Sequence, residues 1–229
     1  FLQVAIPIDE ATTVFDENEE EVDMLIQHAG TTKANNIHLS VGSAKNILAR
    51  AVNIPGDLIA TTASQKDGVI TLGGGGSVVV AGNLSANENG SINIAGDFVS
   101  LGGKIDVSGN TGGGITISSQ GETALSAELN ASSNNDDGGN IMVTSSSNIV
   151  QSHGSVLNVS GTNKGGTISL SSKKDIISSG DMSASGTFLH GGRIDIEANN
   201  SIRLLSSSIN VSGATQGGLV RVGGAFQGS

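Results

Sequence analysis

The sequence predicts an all-β chain wound as a right-handed parallel β-helix, a solenoid of about 22–27 residues per coil with an irregular first coil. Three observations predict it. Six blocks open on a glycine or Asn-Gly turn and run into an apolar-x-apolar strand, beginning at Asn89, Gly112, Gly138, Gly165, Gly191 and Gly217. Their starts lie 23, 26, 27, 26 and 26 residues apart, a fixed period of the kind that stacked supersecondary units leave in a sequence. Second, the 34 glycines recur with that period instead of clustering in linkers, and only 2 prolines interrupt the chain. Third, each later period holds three short alternating segments and closes on a repeated tag: Asp106-Val107-Ser108-Gly109, Asn158-Val159-Ser160-Gly161 and Asn210-Val211-Ser212-Gly213.

Taken in order, Phe1 to Ile8 alternates as a strand or an end cap would, and Phe1 begins in mid-pattern, as a piece of a longer chain does. An acidic stretch follows, with Asp9, Glu10 and then Asp16, Glu17, Glu19, Glu20, Glu21 and Asp23. Residues 1–33 are expected to be an N-terminal strand and an acidic loop leaving the coil, continuing from a preceding domain. Residues 34–229 are expected to form the β-helix repeats. The acidic residues lack the fixed oxygen spacing of a calcium loop, which leaves a solvated loop, with Asp16, Glu17, Glu19, Glu20, Glu21 and Asp23 as its candidate contact residues.

Coils are expected to start near residues 34, 67, 89, 112, 138, 165, 191 and 217. The first uses Ile37-His38-Leu39, Asn46 to Ala49, Val52-Asn53-Ile54 and Leu58-Ile59-Ala60, and its longer step implies an insertion in which Ser43 to Arg50 makes a short helix. The second uses Ile70/Leu72, Val78 to Val80 and Leu84; the third uses Ile92/Ile94, Phe98-Val99 and Ile105/Val107. Strands of three to five residues cannot bury a face alone. Wound into a coil, each stacks on its equivalent in the next turn about 4.8 Å away, and eight turns give a rod of roughly 35–40 Å. A β-sandwich has hairpin spacing without this higher period. The crossover rule for parallel strands sets the right-handed sense.

Composition bounds the function. The net charge is -10, with 21 acidic against 11 basic residues, and clustered Lys and Arg of a phosphate-binding surface are missing. Nucleic acid is therefore not an expected partner, and membrane insertion is not expected either, because no apolar run approaches 18 residues. Zero cysteines remove disulfide staples and thiol chemistry. Aromatic residues are 2% of the chain, with no Trp or Tyr, so sugar-stacking platforms are scarce.

Catalytic and metal constellations were sought among the acids and histidines. The candidate acids are Asp97, Asp106, Asp136, Asp137, Asp175 and Asp195; Asp97, Asp106 and Asp175 fall at non-equivalent places of the repeat, and Asp136-Asp137 fits a solvated turn. His28, His38, His153 and His190 are far apart, with only His153 and His190 expected on neighbouring edges. Gly102-Gly103-Lys104 fails the spacing of a phosphate loop. Neither an enzyme nor a cofactor is expected. Asn-x-Ser sequons at Asn83, Asn89, Asn130, Asn158, Asn199 and Asn210 follow from the repeated tag more readily than from glycosylation.

Two stretches carry a family resemblance. Val41-Gly42-Ser43-Ala44-Lys45-Asn46-Ile47-Leu48-Ala49-Arg50-Ala51-Val52-Asn53-Ile54-Pro55-Gly56 runs into Leu58 to Thr61 and Asp67 to Leu72. The second is Gly217-Gly218-Leu219-Val220-Arg221-Val222-Gly223-Gly224-Ala225-Phe226-Gln227-Gly228. With the repeats, these resemble the filamentous haemagglutinin-like exoproteins (TpsA proteins) exported by two-partner secretion in Gram-negative bacteria. The Asn-Pro-Asn-Gly motif of that family's secretion domain does not occur, which places this piece after that domain. The resemblance implies a β-helical shaft of a large secreted or cell-surface adhesin on the outer-membrane exterior, attaching to host or neighbouring cells and acting in virulence. It implies as partners the outer-membrane TpsB transporter during export and a host-cell receptor or host protein, with the shaft itself a monomeric rod. The alternatives are a module binding a host protein or haem carrier, and the stalk of a contact-dependent toxin.

Overall fold

The computed structural model describes residues 2–6, 24–41, 50–60, 68–74, 76–86 and 89–223. These form 25 strands and no helix, in three parallel sheets of nine, eight and eight strands. Every sheet neighbour is the equivalent strand of the adjacent coil, so each coil contributes one strand to each sheet in turn. The chain is a β-solenoid.

Register follows from alternation. In a strand, successive side chains point to opposite faces, so the two apolar residues of each apolar-x-apolar block enter the interior together. In the first sheet Ile37, Ile70, Ile92, Ile115, Ile141, Ile168, Ile194 and Val220 stack as one row. Leu39, Leu72, Ile94, Ile117, Val143, Leu170, Ile196 and Val222 form a second row two residues on. From Ile37 to Ile196 no member of either row is more than 2% exposed. The third sheet adds Leu58, Leu84, Ile105, Leu129, Leu157 and Met182. Burial is a matter of neighbours: Val220, on the last described strand of the first sheet, has the same register but is 38% exposed.

The eight coil starts read from the sequence each precede a first-sheet strand by two residues, from Asn36–Val41 through Ser91–Gly96 to Leu219–Val222. The ladders also run back past residue 34. Leu2–Ile6, Met24–Gln27 and Thr31–Ala34 pair with Asn36–Val41, Arg50–Ile54 and Asp57–Ala60 respectively. The sheets therefore show no break at the expected boundary between residues 33 and 34. Weak alternation in these short segments is enough once a neighbouring coil supplies the ladder. The acidic loop with Asp16, Glu17, Glu19, Glu20, Glu21 and Asp23 lies outside the described residues, as does the helix expected over Ser43 to Arg50, save that Arg50 opens a strand.

The Gly-Gly pairs sit where the chain enters the first sheet, and what they supply is close approach between coils. A Cβ on Gly166 would collide with the carbonyl oxygen of Gly139 one coil earlier, and Gly192 and Gly218 stand in the same relation to Gly166 and Gly192. None of these three has a positive φ. The glycine is needed for the space between backbones, and it recurs because every coil must nest on the last.

Candidate interaction surface

Outward chemistry has to be built from side chains that alternation turns away from the core, and from the loops at the corners. Amides at the glycine corners are already used. Gly166 N–H donates to the Val159 carbonyl (2.8 Å), Gly192 N–H to Ala184 (2.7 Å) and Gly218 N–H to Val211 (2.7 Å), so these backbone donors cradle no anion.

The acids are dispersed among structural tasks. Asp97 Oδ2 accepts the Gly76 N–H from the preceding coil at 3.0 Å. Asp106 Oδ1 accepts the N–H of Ser108 at 2.9 Å, and Lys104 Nζ lies 3.2 Å from Oδ2. Asp136 accepts the Asp137 N–H, and Asp137 pairs with Lys164 at 3.8 Å. Asp175 accepts the Ser201 hydroxyl at 2.6 Å. Asp195 lies between two arginines: Arg193 Nε donates to Oδ2, while Arg221 Nε is 3.1 Å from Oδ1 but unaligned for a hydrogen bond, leaving an ion pair there. The Asp195 carboxylate raises the Arg193 guanidinium above its ordinary pKa, first by that hydrogen bond and then by its charge.

The histidines do not converge. His28 Nε2 lies 2.7 Å from Thr32 Oγ1 and His190 Nδ1 lies 3.1 Å from Thr215 Oγ1. His153 is in the turn entering the third sheet and His190 in the loop leaving it one coil later. Among the described residues no group of three or more His, Cys, Asp or Glu is placed to hold a metal ion.

The repeated closing tag proves to be an Asx turn. Asp106, Asn130, Asn158 and Asn210 each accept, through Oδ1, the N–H of the serine two residues on, at 2.9, 3.2, 3.0 and 3.0 Å. The amides also ladder between coils: Asn130 Nδ2 donates to Asp106 Oδ1 and Asn158 Nδ2 to Asn130 Oδ1, both at 3.3 Å. At Asn130 and Asn158 the sequon is thus part of the scaffold.

Several large apolar side chains among the described residues face outward, Met142, Leu205 and Leu219 among them, and two such places carry a phenylalanine. Between the third and first sheets the loops themselves ladder: Thr187, Phe188 and Leu189 donate N–H bonds to Gly161, Thr162 and Asn163 at 3.0, 2.9 and 2.9 Å. The residues accepting from Phe188 and Leu189 are polar, yet Phe188 is 62% exposed and Leu189 39%. The second place is on the outer face of the second sheet, where Phe98 is 56% exposed beside a depression of about 200 Å³. No aromatic residue is among the buried hydrophobic residues described, and both phenylalanines with described burial face solvent.

Phe98 was expected only as a strand residue, and no role was expected for Phe188. Alternation carried the signal for the first: in Phe98-Val99-Ser100-Leu101 the inward phase belongs to Val99 and Leu101. For the second, the signal was an apolar pair inside a Gly186-to-Gly191 loop where the preceding coil has only Thr162, Asn163 and Lys164.

Comparison with protein-family models, with curated proteins and with solved structures returns no match.

Proposed function

We propose that this chain is the β-helical shaft of a large secreted or surface-exposed bacterial adhesin, exported by two-partner secretion through an outer-membrane transporter. On this reading it works by reach and display, holding contact residues outside the cell for a host receptor or a neighbouring cell. The observation that carries the reading is the Phe188-Leu189 tip, set on a laddered loop above a continuous aliphatic core. An apolar pair held by backbone bonds loses little freedom on binding, and aromatic anchors of this kind dominate protein interfaces. The sequence resemblance in Val41 to Leu72 and Gly217 to Gly228 supplies the secretion class.

The test is adherence of the purified fragment to epithelial and bacterial cells, comparing wild type with a Phe188→Ser/Leu189→Ser variant and with a deletion of residues 9–23. Wild type is expected to adhere, and the double variant to lose most of that adherence with an unchanged melting temperature. Equal adherence by all three forms removes both the loop tip and the acidic segment as contacts, and no adherence by wild type removes the adhesin reading.

A further inference from the structure

The depression on the second sheet has a composition of its own. Its outward lining is Ser77, Val79, Phe98, Ser100, Glu122 and Ala124, drawn from three successive coils. Val79, Ser100 and Ala124 stand in one outward row and make the floor, two aliphatic groups with a small hydroxyl between them. Phe98 forms a wall and is laid down onto the following coil: a Cβ on Gly121 would stand 2.8 Å from Phe98 Cε1, so only glycine there lets the ring lie flat. Glu122, the neighbour of Gly121, brings a carboxylate to the rim, where its Oε2 accepts a 3.4 Å hydrogen bond from Asn148 Nδ2. Neither lysine nor arginine lines the cavity.

A largely apolar floor, an aromatic face and one carboxylate are the complement of a group with an apolar stem and a cationic head. The stem rests on Val79 and Ala124, and the head meets the negative face of the ring and the Glu122 carboxylate. A volume of about 200 Å³ falls below the roughly 300–1,000 Å³ of clefts for drug-sized ligands, so it suits a single side chain. The chain's net charge of -10 favours the approach of a basic surface. The geometry points to a docking site for a lysine side chain of a basic partner protein. This face is distinct from the Phe188 loop, so the inference stands or falls apart from the adhesin reading.

The experiment is an NMR titration of the 229-residue chain, following the amides of Val79, Ser100 and Ala124. The probes are N-acetyl-lysine N-methylamide, its norleucine analogue (the same stem without the charge) and butylammonium chloride. The lysine amide is expected to shift these resonances saturably, and the norleucine analogue to do so several-fold more weakly. Phe98→Leu and Glu122→Gln are each expected to weaken the lysine amide by about two- to five-fold. Both positions point outward, so unchanged melting temperatures serve as the folding control. Equal shifts from norleucine would reduce the site to an apolar dent. Saturation by butylammonium with exclusion of the lysine amide would assign it to free amines. Absence of any shift, or Glu122→Gln binding as wild type does, also overturns the proposal.

Discussion

The first and second sheets meet the same demand in different ways. In the first, both inward rows are aliphatic at every step from Ile37 to Ile196. In the second, one inward row runs Ile54, Val80, Leu101, Leu125 and then changes to Gln151 and Ser178 before Leu204. Gln151 is 1% exposed and Ser178 0%. They are tolerated because they complete each other. Ser178 Oγ donates to Gln151 Oε1 at 2.7 Å, and Gln151 Nε2 donates to the carbonyls of Ser155 (3.4 Å) and Asp181 (3.3 Å). Ser155 Oγ donates in turn to the Ala127 carbonyl at 2.8 Å. A second polar row, Ser119, Ser145 and Ser172, ends the first sheet where its backbone bends away, each hydroxyl donating to a corner carbonyl. Stacking requires that equivalent positions match in volume and have their polar groups satisfied; hydrophobicity is one way to meet that.

This contrast can be broken most severely on the aliphatic side. Ile194→Asp places an unpaired charge in a fully buried row and is expected to cost about 3–5 kcal/mol, read by thermal or chemical denaturation. An unshifted melt would show that this row does not face inward. Gly166→Ala comes next, because the added methyl meets backbone at Gly139 and neither coil can yield without opening the ladder; about 2–3 kcal/mol is expected. On the polar side, Gln151→Ala removes the Oε1 acceptor of the Ser178 hydroxyl and the Nε2 donor to the Ser155 and Asp181 carbonyls, at about 1–3 kcal/mol. Gln151→Leu combined with Ser178→Ala removes both partners and is expected to cost less than Gln151→Ala alone; a larger loss would mean that the polar pair is required in itself.

The smallest effect is electrostatic. Burial pulls the Lys104 ammonium down, but its hydrogen bond to Asp106 and the charges of Asp106 and Glu128 outweigh that and leave its pKa above the ordinary 10.5. A raised folded-state value stabilises the fold below 10.5 and loses that contribution as pH rises through it. Lys104 is 44% exposed, so only about a few tenths of a kcal/mol is at stake. Denaturation midpoints of wild type and Lys104→Met are expected to converge above that pH, and a constant gap would assign the difference to packing.

How much of this was legible in the sequence depends on what repeats. The isoleucine rows could be read because each coil imposes the same requirement at Ile115, Ile141, Ile168 and Ile194. Ser119, Ser145 and Ser172 were missed as core, although they continue the same alternation one step further. Serine is as good in a turn as against a buried carbonyl, and composition does not separate the two. Phe98 and Phe188 occur once each at their places in the repeat, so no period announces them. Their role depends on what the next coil provides: Gly121 under one ring, and backbone acceptors at Thr162 and Asn163 beside the other.

The central claim is the parallel in-register stacking of coils 26 residues apart, and the chain's lack of cysteine allows a direct measurement of it. Thr116 and Met142 are outward partners on adjacent strands of the first sheet. Neighbouring strands lie about 4.8 Å apart, within the Cα separation of roughly 4.4–6.8 Å that a disulfide spans. Thr116→Cys with Met142→Cys is expected to close under mild oxidation and keep the wild-type melt. Thr116→Cys with Thr144→Cys, two residues out of register at about 8 Å, is expected to stay reduced. Closure of the out-of-register pair, or failure of the in-register one, would contradict the solenoid.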